Sequence, residues 1–165
     1  RMVSFCDAFS IPVVTLVDSV GVDNSAPREP APVFGKLAKA YATATTAKIS
    51  VVVGNAYGAA FTLLGSRALG ADLALALPET VISVLAPEVA VAFLMNDQIT
   101  EDKPREAVEA EWMETVASPV AAAESGDIDD IVPAAELRAR LSSALYMLAE
   151  KADTTPDRKH GVPTL

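Results

Sequence analysis

Cysteine and histidine are almost missing from this sequence. Its 165 residues hold one of each, Cys6 and His160. A lone cysteine excludes an internal disulfide, and one histidine beside it leaves too few ligands for a zinc-type His/Cys site. Basic residues are in deficit: Lys plus Arg is 13 against 22 for Asp plus Glu, a formal net charge of −9. That balance argues against nucleic acid as the main partner, because no cationic excess is available to displace counterions from phosphates. It argues equally against an anionic membrane surface. Long hydrophobic runs are lacking too. The most apolar stretch, residues 81–95, contains Ser83, Pro87 and Glu88 and falls short of the roughly 20 apolar residues a membrane-spanning segment needs. Residues 1–10 include Asp7 and no apolar core of a signal peptide. The expected compartment is the cytoplasm.

What is present is a globular composition, 51% hydrophobic and 21% charged, in a chain long enough for one domain with one core. Met2, Val3, Phe5, Cys6 and Phe9 recur at helical spacing with no cap before them. The chain therefore reads as starting within an element already under way, as a fragment would. The run at 11–17 is β-branched and of strand length. Residues 18–32, with Gly21, Asn24, Pro27, Pro30 and Pro32, read as a long loop and so as a functional segment. A helix follows on Phe34, Leu37, Ala38 and Tyr41. The stretch 49–53 has no polar alternation, as in a strand buried on both faces. Residues 54–61 read as a turn leading into a helix. Strands are expected at 73–77 and 81–85, and helices at 87–95, 104–116 and 119–124. Ile128, Ile131 and Val132 suggest a short strand. A long helix opens at Pro133 with Leu137, Leu141, Leu145 and Leu148 on one side. Alternating strands and helices with short connections indicate an α/β fold with mainly parallel pairing.

The strongest chemical signal is at Gly58, Ala59 and Ala60, three very small residues opening a helix directly after a buried strand. The first amides of a helix lack partners within it and carry partial positive charge. With small side chains around them, an oxygen could approach the main chain closely, as in an oxyanion hole. Close packing of a helix on its neighbour selects the same residues, and both readings stand at this point. No phosphate-cradling glycine motif occurs, and Ser19 and Ser25 have only His160 as a conceivable base, which argues against a Ser-His-Asp triad. Asp127, Asp129 and Asp130 read as a solvated turn. Val108, Trp112 and Val116, at i, i+4 and i+8, read as a buried stripe, with Trp112 in a core or interface rather than in a base-stacking role.

Several stretches, in order along nearly the whole chain, resemble the carboxyltransferase subunits of biotin-dependent acyl-CoA carboxylases and related decarboxylases. They are Phe5-Cys6-Asp7-Ala8-Phe9-Ser10-Ile11-Pro12 with Val14 to Asp18, Ala56-Tyr57-Gly58-Ala59-Ala60, Leu69-Gly70-Ala71-Asp72, Ser118-Pro119 with Ala122-Ala123-Glu124 and Gly126, and the ending Lys159-His160-Gly161-Val162-Pro163-Thr164-Leu165. The resemblance implies a crotonase-like α/β domain, incomplete at its N-terminus, over residues 1–150 and a C-terminal arm over 151–165. It implies the biotin-facing half of the enzyme, with the acyl-CoA bound by a separate domain. It also implies a biotin carboxyl carrier protein and a CoA-binding half as partners in a homo- or hetero-oligomer.

Within that resemblance, the amides of Ala59 and Ala60 would stabilise charge on the biotin ureido oxygen. Tyr57, Gly58, Val20, Gly21 and Thr62 would border the cofactor. No side-chain nucleophile is required. The chain also departs from the family pattern. Val20 and Val22 replace Pro and Phe of the loop, Ala59 replaces the second Gly of the hole, and Thr62 replaces an Asp linked to acyl-group choice. Leu85-Ala86-Pro87 replaces a Met-Gly-Ala stretch. Two readings follow: a carboxyltransferase half, or a diverged, non-catalytic subunit that holds such an oligomer together.

Overall fold

The computed structural model describes residues 1–21 and 30–152, with the side chains of residues 30 and 31 excepted. Its strands are β1 (Val13–Ser19), β2 (Lys48–Tyr57), β3 (Leu73–Ala76), β4 (Val81–Ser83) and β5 (Asp130–Ile131). The α-helices are α1 (Met2–Ala8), α2 (Pro30–Thr43), α3 (Gly58–Leu63), α4 (Pro87–Leu94), α5 (Arg105–Thr115), α6 (Pro119–Glu124) and α7 (Ala134–Met147). Every strand pairing is parallel. The order is β1-β2-β3-β5, and β4 pairs with the far half of β2. The C-terminal ends of β1, β2 and β4 therefore meet at one rim, the usual place for a ligand in a parallel sheet.

The strands are apolar on both faces because helices cover both. On one face Val17, Val52, Ala74, Ala76 and Ile82 pack with Phe61 and Leu64 of the α3 region and Ala122 of α6. On the other, Ile49, Val51, Leu75 and Val132 meet Leu137, Leu141, Ala144 and Leu145 of α7. That helix covers β2 and β3 but leaves β1 bare on its side, where Leu16 is 60% exposed. A third cluster joins α1 to α2 through Val3, Val13, Tyr41 and Ala44.

Polar links hold the end of the sheet away from the rim. Asp7 accepts the N–H groups of Thr45 and Thr46 at 2.7 and 3.0 Å, and so ties α1 to the turn before β2. Lys48 is buried, and its ammonium donates to the carbonyls of Tyr41 and Ala44 at the C-terminal end of α2, where the helix dipole favours a cation. Asp72 accepts the Lys48 N–H and the Lys151 ammonium, which anchors the chain after α7.

Three expectations need correction. Residues 54–57 are strand, not turn. The chain stays extended because β4 pairs with Asn55 to Tyr57 and because Asp18 fills an irregularity between β1 and β2, where Val17 lies opposite Val52 but Ser19 lies opposite Ala56. Asp18 Oδ1 accepts the Asn55 N–H at 2.9 Å there. The strand expected at 81–85 stops at Ser83, so that Val84 to Ala86 form the connection into α4. The expected loop at 18–32 is shorter, because β1 runs to Ser19 and α2 starts at Pro30; Val22 and the remainder of that loop lie outside the described residues. So do residues 153–165, which hold most of the expected arm and His160.

Candidate functional site

The rim is built by the ends of three adjacent strands. β2 ends at Tyr57, whose backbone is still extended (φ −106°, ψ 133°). The chain then turns at Gly58, φ +53°, into α3. A side chain at this left-handed position is strained, and a Cβ there would also lie 3.0 Å from the carbonyl oxygen of Val84. Gly58 is therefore required by the join of β2 to α3 and by the close passage of the β4–α4 connection.

Ala59 and Ala60 follow in the first turn of α3, where the helix supplies no acceptor for their N–H groups. Among the described residues no side chain caps this helix, and no turn or loop carbonyl accepts from either amide. Their side chains differ in environment. Ala59 is exposed and borders a cleft, whereas Ala60 is buried. A larger residue at 60 would therefore meet packed neighbours. The Ala60 side chain thus belongs to the packed interior and not to a ligand path.

The cleft has a volume of about 960 Å³ and lies between α3, the end of β4, α5 and α6. Gly58, Ala59 and Thr62 form its wall on the α3 side. Phe61, Ile82, Leu85, Leu94, Trp112 and Val116 give it an apolar lining, and among the described residues Asp127 is the one charged residue on it. Trp112 carries a buried Nε1–H with no acceptor among the described residues. Val108 of the expected helical stripe is fully buried, but Val116 is 48% exposed and belongs to the cleft wall instead.

The remaining expected site residues stand apart from this cleft. Tyr57 donates its hydroxyl to Asn55 Oδ1 at 2.9 Å, on the same face of β2. Burial raises its phenol above the ordinary value, and the nearby carboxylate of Glu88 adds to the effect. Val20 and Gly21 leave the end of β1 at the same rim, with Val20 75% exposed and Gly21 at φ +114°. Neither they nor Tyr57 nor Ala60 line the cleft. Sequence reasoning missed its far wall, made by Leu94, Trp112, Thr115 and Ala121. Only the tertiary approach of α5 and α6 to β4 brings these residues together.

A parallel sheet whose central strand breaks at a left-handed glycine into a short helix, with first-turn amides open beside a cleft, is the scaffold of crotonase-like proteins. Solved structures agree. The 12S subunit of transcarboxylase, in a structure with hydrolysed methylmalonyl-coenzyme A bound, matches at a TM-score of 0.90 and 35% identity over 99% of this chain and 32% of that one. The carboxyl transferase domain family matches residues 1–163, and the chain belongs to that family. Similar proteins include the propionyl-CoA carboxylase beta chain of Saccharopolyspora erythraea, 40% identical over 98% of this chain and 32% of the relative. The methylmalonyl-CoA carboxyltransferase 12S subunit of Propionibacterium freudenreichii is 36% identical over the same shares. The chain thus spans about a third of the length of these relatives. Among the described residues no helix is long and apolar enough to cross a membrane, and no acidic, cysteine or histidine cluster could hold a metal ion.

Proposed function

We propose that this chain is the biotin-facing half of a cytoplasmic acyl-CoA carboxyltransferase, which moves a carboxyl group between carboxybiotin and the α-carbon of an acyl-CoA. The observation that carries the reading is the main-chain geometry at Gly58 to Ala60, found in a chain that matches the family from residue 1 to residue 163. The ureido ring of biotin is neutral, and the site fits it: small residues, two donors and, among the described residues, no cation. When bound, carboxybiotin supplies the carboxyl group and a ureido oxygen on which negative charge develops as that group leaves.

The residues of the chain then have defined tasks. Gly58 sets the turn that presents the next two amides. Ala59 and Ala60 donate their N–H groups to the charged oxygen, a task in which preorganised donors need no rearrangement. The methyl of Ala59 narrows the approach but leaves its amide available. Tyr57, held by Asn55, fixes the end of β2, and Val20 and Gly21 flank the same rim. Thr62 offers an uncharged hydroxyl further along the cleft. The acyl-CoA itself is held by a separate CoA-binding half, and biotin arrives on its carrier protein, so the working form is an oligomer.

The test is transfer of labelled carboxyl from a carboxylated biotin carrier to an acyl-CoA by the chain assembled with a CoA-binding half. Transfer that depends on this chain is expected. An assembly that forms normally and transfers nothing would instead identify the chain as a structural subunit.

A further inference from the structure

Among the described residues, the wall of the cleft made by α5 and α6 holds one side-chain donor with nothing to bond. The Thr115 hydroxyl donates to the Glu111 carbonyl at 2.6 Å. The Ser125 hydroxyl has the Ala122 carbonyl and the Asp127 carboxylate at 3.0 and 2.8 Å. Trp112 Nε1–H is buried and finds no acceptor. A buried donor left unpaired is costly, so a position that keeps one needs a reason, and a ligand acceptor is one such reason. Val116, Ala121 and Ala122 otherwise make this wall apolar.

Biotin on its carrier has the matching need. With the ureido oxygen at the amides of Ala59 and Ala60, the thioether ring, the methylene chain and the amide that joins biotin to the carrier lysine remain to be accommodated. The ring and the methylenes suit the apolar lining. The amide carbonyl does not, unless it meets a donor. We infer that Trp112 recognises this biotinyl arm, with its Nε1–H donating to the amide carbonyl. The inference rests on the carboxyltransferase reading above and specifies how the same site tells carrier-linked biotin from free biotin, whose carboxylate finds no cation among the described lining residues. Nε1 is covered in the unliganded chain, so the indole turns to present it. The ring is only half-buried, and side-chain rotamers commonly change when a partner docks.

The test uses the chain assembled with a CoA-binding half and follows binding by ligand-detected nuclear magnetic resonance. Two ligands are compared: biotinyl-lysine, and a biotin analogue whose side chain ends in a methyl group and so has no carbonyl. Trp112→Phe keeps an aromatic ring and removes the N–H. It should weaken biotinyl-lysine about three- to tenfold, the effect of one neutral hydrogen bond, and leave the methyl-ended analogue within twofold. In carboxyl transfer the same variant should raise KM for the carboxylated carrier by a similar factor with kcat unchanged. Trp112 is the single tryptophan of the chain. If Trp112→Phe does not fold by circular dichroism, biosynthetic replacement of tryptophan by its benzothiophene isostere, which keeps the shape and lacks the N–H, takes its place. Equal weakening of both ligands would mean that Trp112 only shapes the wall, and no weakening of either would mean that its N–H is not used. Each result, in an assembly that still transfers carboxyl, would overturn this inference alone. A parent assembly that binds neither ligand and transfers no carboxyl would overturn the carboxyltransferase reading beneath it.

Discussion

Gly54 should be intolerant of even a methyl group, for a reason located in Asp18. A Cβ at Gly54 would lie 2.3 Å from Asp18 Oδ1 and 2.5 Å from its Cγ, so the carboxylate must move. That carboxylate is the acceptor for the Asn55 N–H, at 2.9 Å, where β1 and β2 fall out of register. A hydrogen bond to a charged acceptor contributes about 1.5–3 kcal/mol, and exposure of Asp18 lowers this, so Gly54→Ala is expected to cost about 1–2 kcal/mol. For a chain of this length that corresponds to a fall in Tm of about 2–8 °C.

The mechanism also fixes how two changes combine. Asp18→Ala removes the same bond, and it removes the obstruction. Adding Gly54→Ala to Asp18→Ala should then cost little more, giving a coupling of about 1–2 kcal/mol between neighbours that share one interaction. Thermal and urea unfolding of the two single variants and the double variant measure it. If the two costs simply add, Asp18 is not the reason for the glycine, and the account of this part of the sheet is wrong.

Other expectations are as direct. Gly58→Ala should destabilise the chain by about 1–2 kcal/mol, since φ +53° disfavours a side chain and Val84 O leaves no slack; an unchanged urea midpoint would count against the strained turn. Ala60→Leu should lose about 1–3 kcal/mol by overpacking, seen as a lower Tm, and unaltered stability would mean that the site is open after all. Tyr57 should ionise above the ordinary tyrosine range in an alkaline ultraviolet titration. Its folded pKa is raised, so its contribution to stability is fully present below the ordinary tyrosine pKa and is lost as pH rises through the folded value; Tyr57→Phe should remove that loss. Sedimentation at micromolar concentration should show self-association rather than a clean monomer, because Leu16, Val84 and Phe93 are 60%, 83% and 82% exposed.

Much of the fold was legible because pattern and burial coincide. The Leu137, Leu141, Leu145 and Leu148 stripe identifies α7, and its packing on Ile49, Val51 and Leu75 explains why those strands show no polar alternation. Ser118-Pro119 marks the start of α6, where the serine hydroxyl accepts the Ala121 N–H at 3.2 Å. Residues 54–57 misled for the opposite reason. Glycine and asparagine are turn residues by local habit, but here Gly54 leaves room for the Asp18 carboxylate, the Asn55 N–H donates to that carboxylate and Asn55 Oδ1 accepts the Tyr57 hydroxyl. The site divides in the same way. Gly58 and Ala59 were readable because a strand-to-helix turn needs small residues, and the family resemblance supplied their chemical meaning. The orientation of Ala60, and the far cleft wall at Trp112 and Ala121, depend on contacts between distant segments that no local pattern encodes.

The central claim concerns one main-chain donor. Proline is tolerated in the first turn of a helix and has no N–H, so Ala59→Pro removes that donor while leaving α3 able to form. Ala59→Gly keeps the donor and serves as its companion. Carboxyl transfer by the assembled enzyme should fall about 10²- to 10³-fold with Ala59→Pro, the cost of losing one oxyanion donor, while Ala59→Gly stays within a few-fold of the parent and both variants keep the parent's circular dichroism. Full transfer activity in a folded Ala59→Pro enzyme would contradict the account.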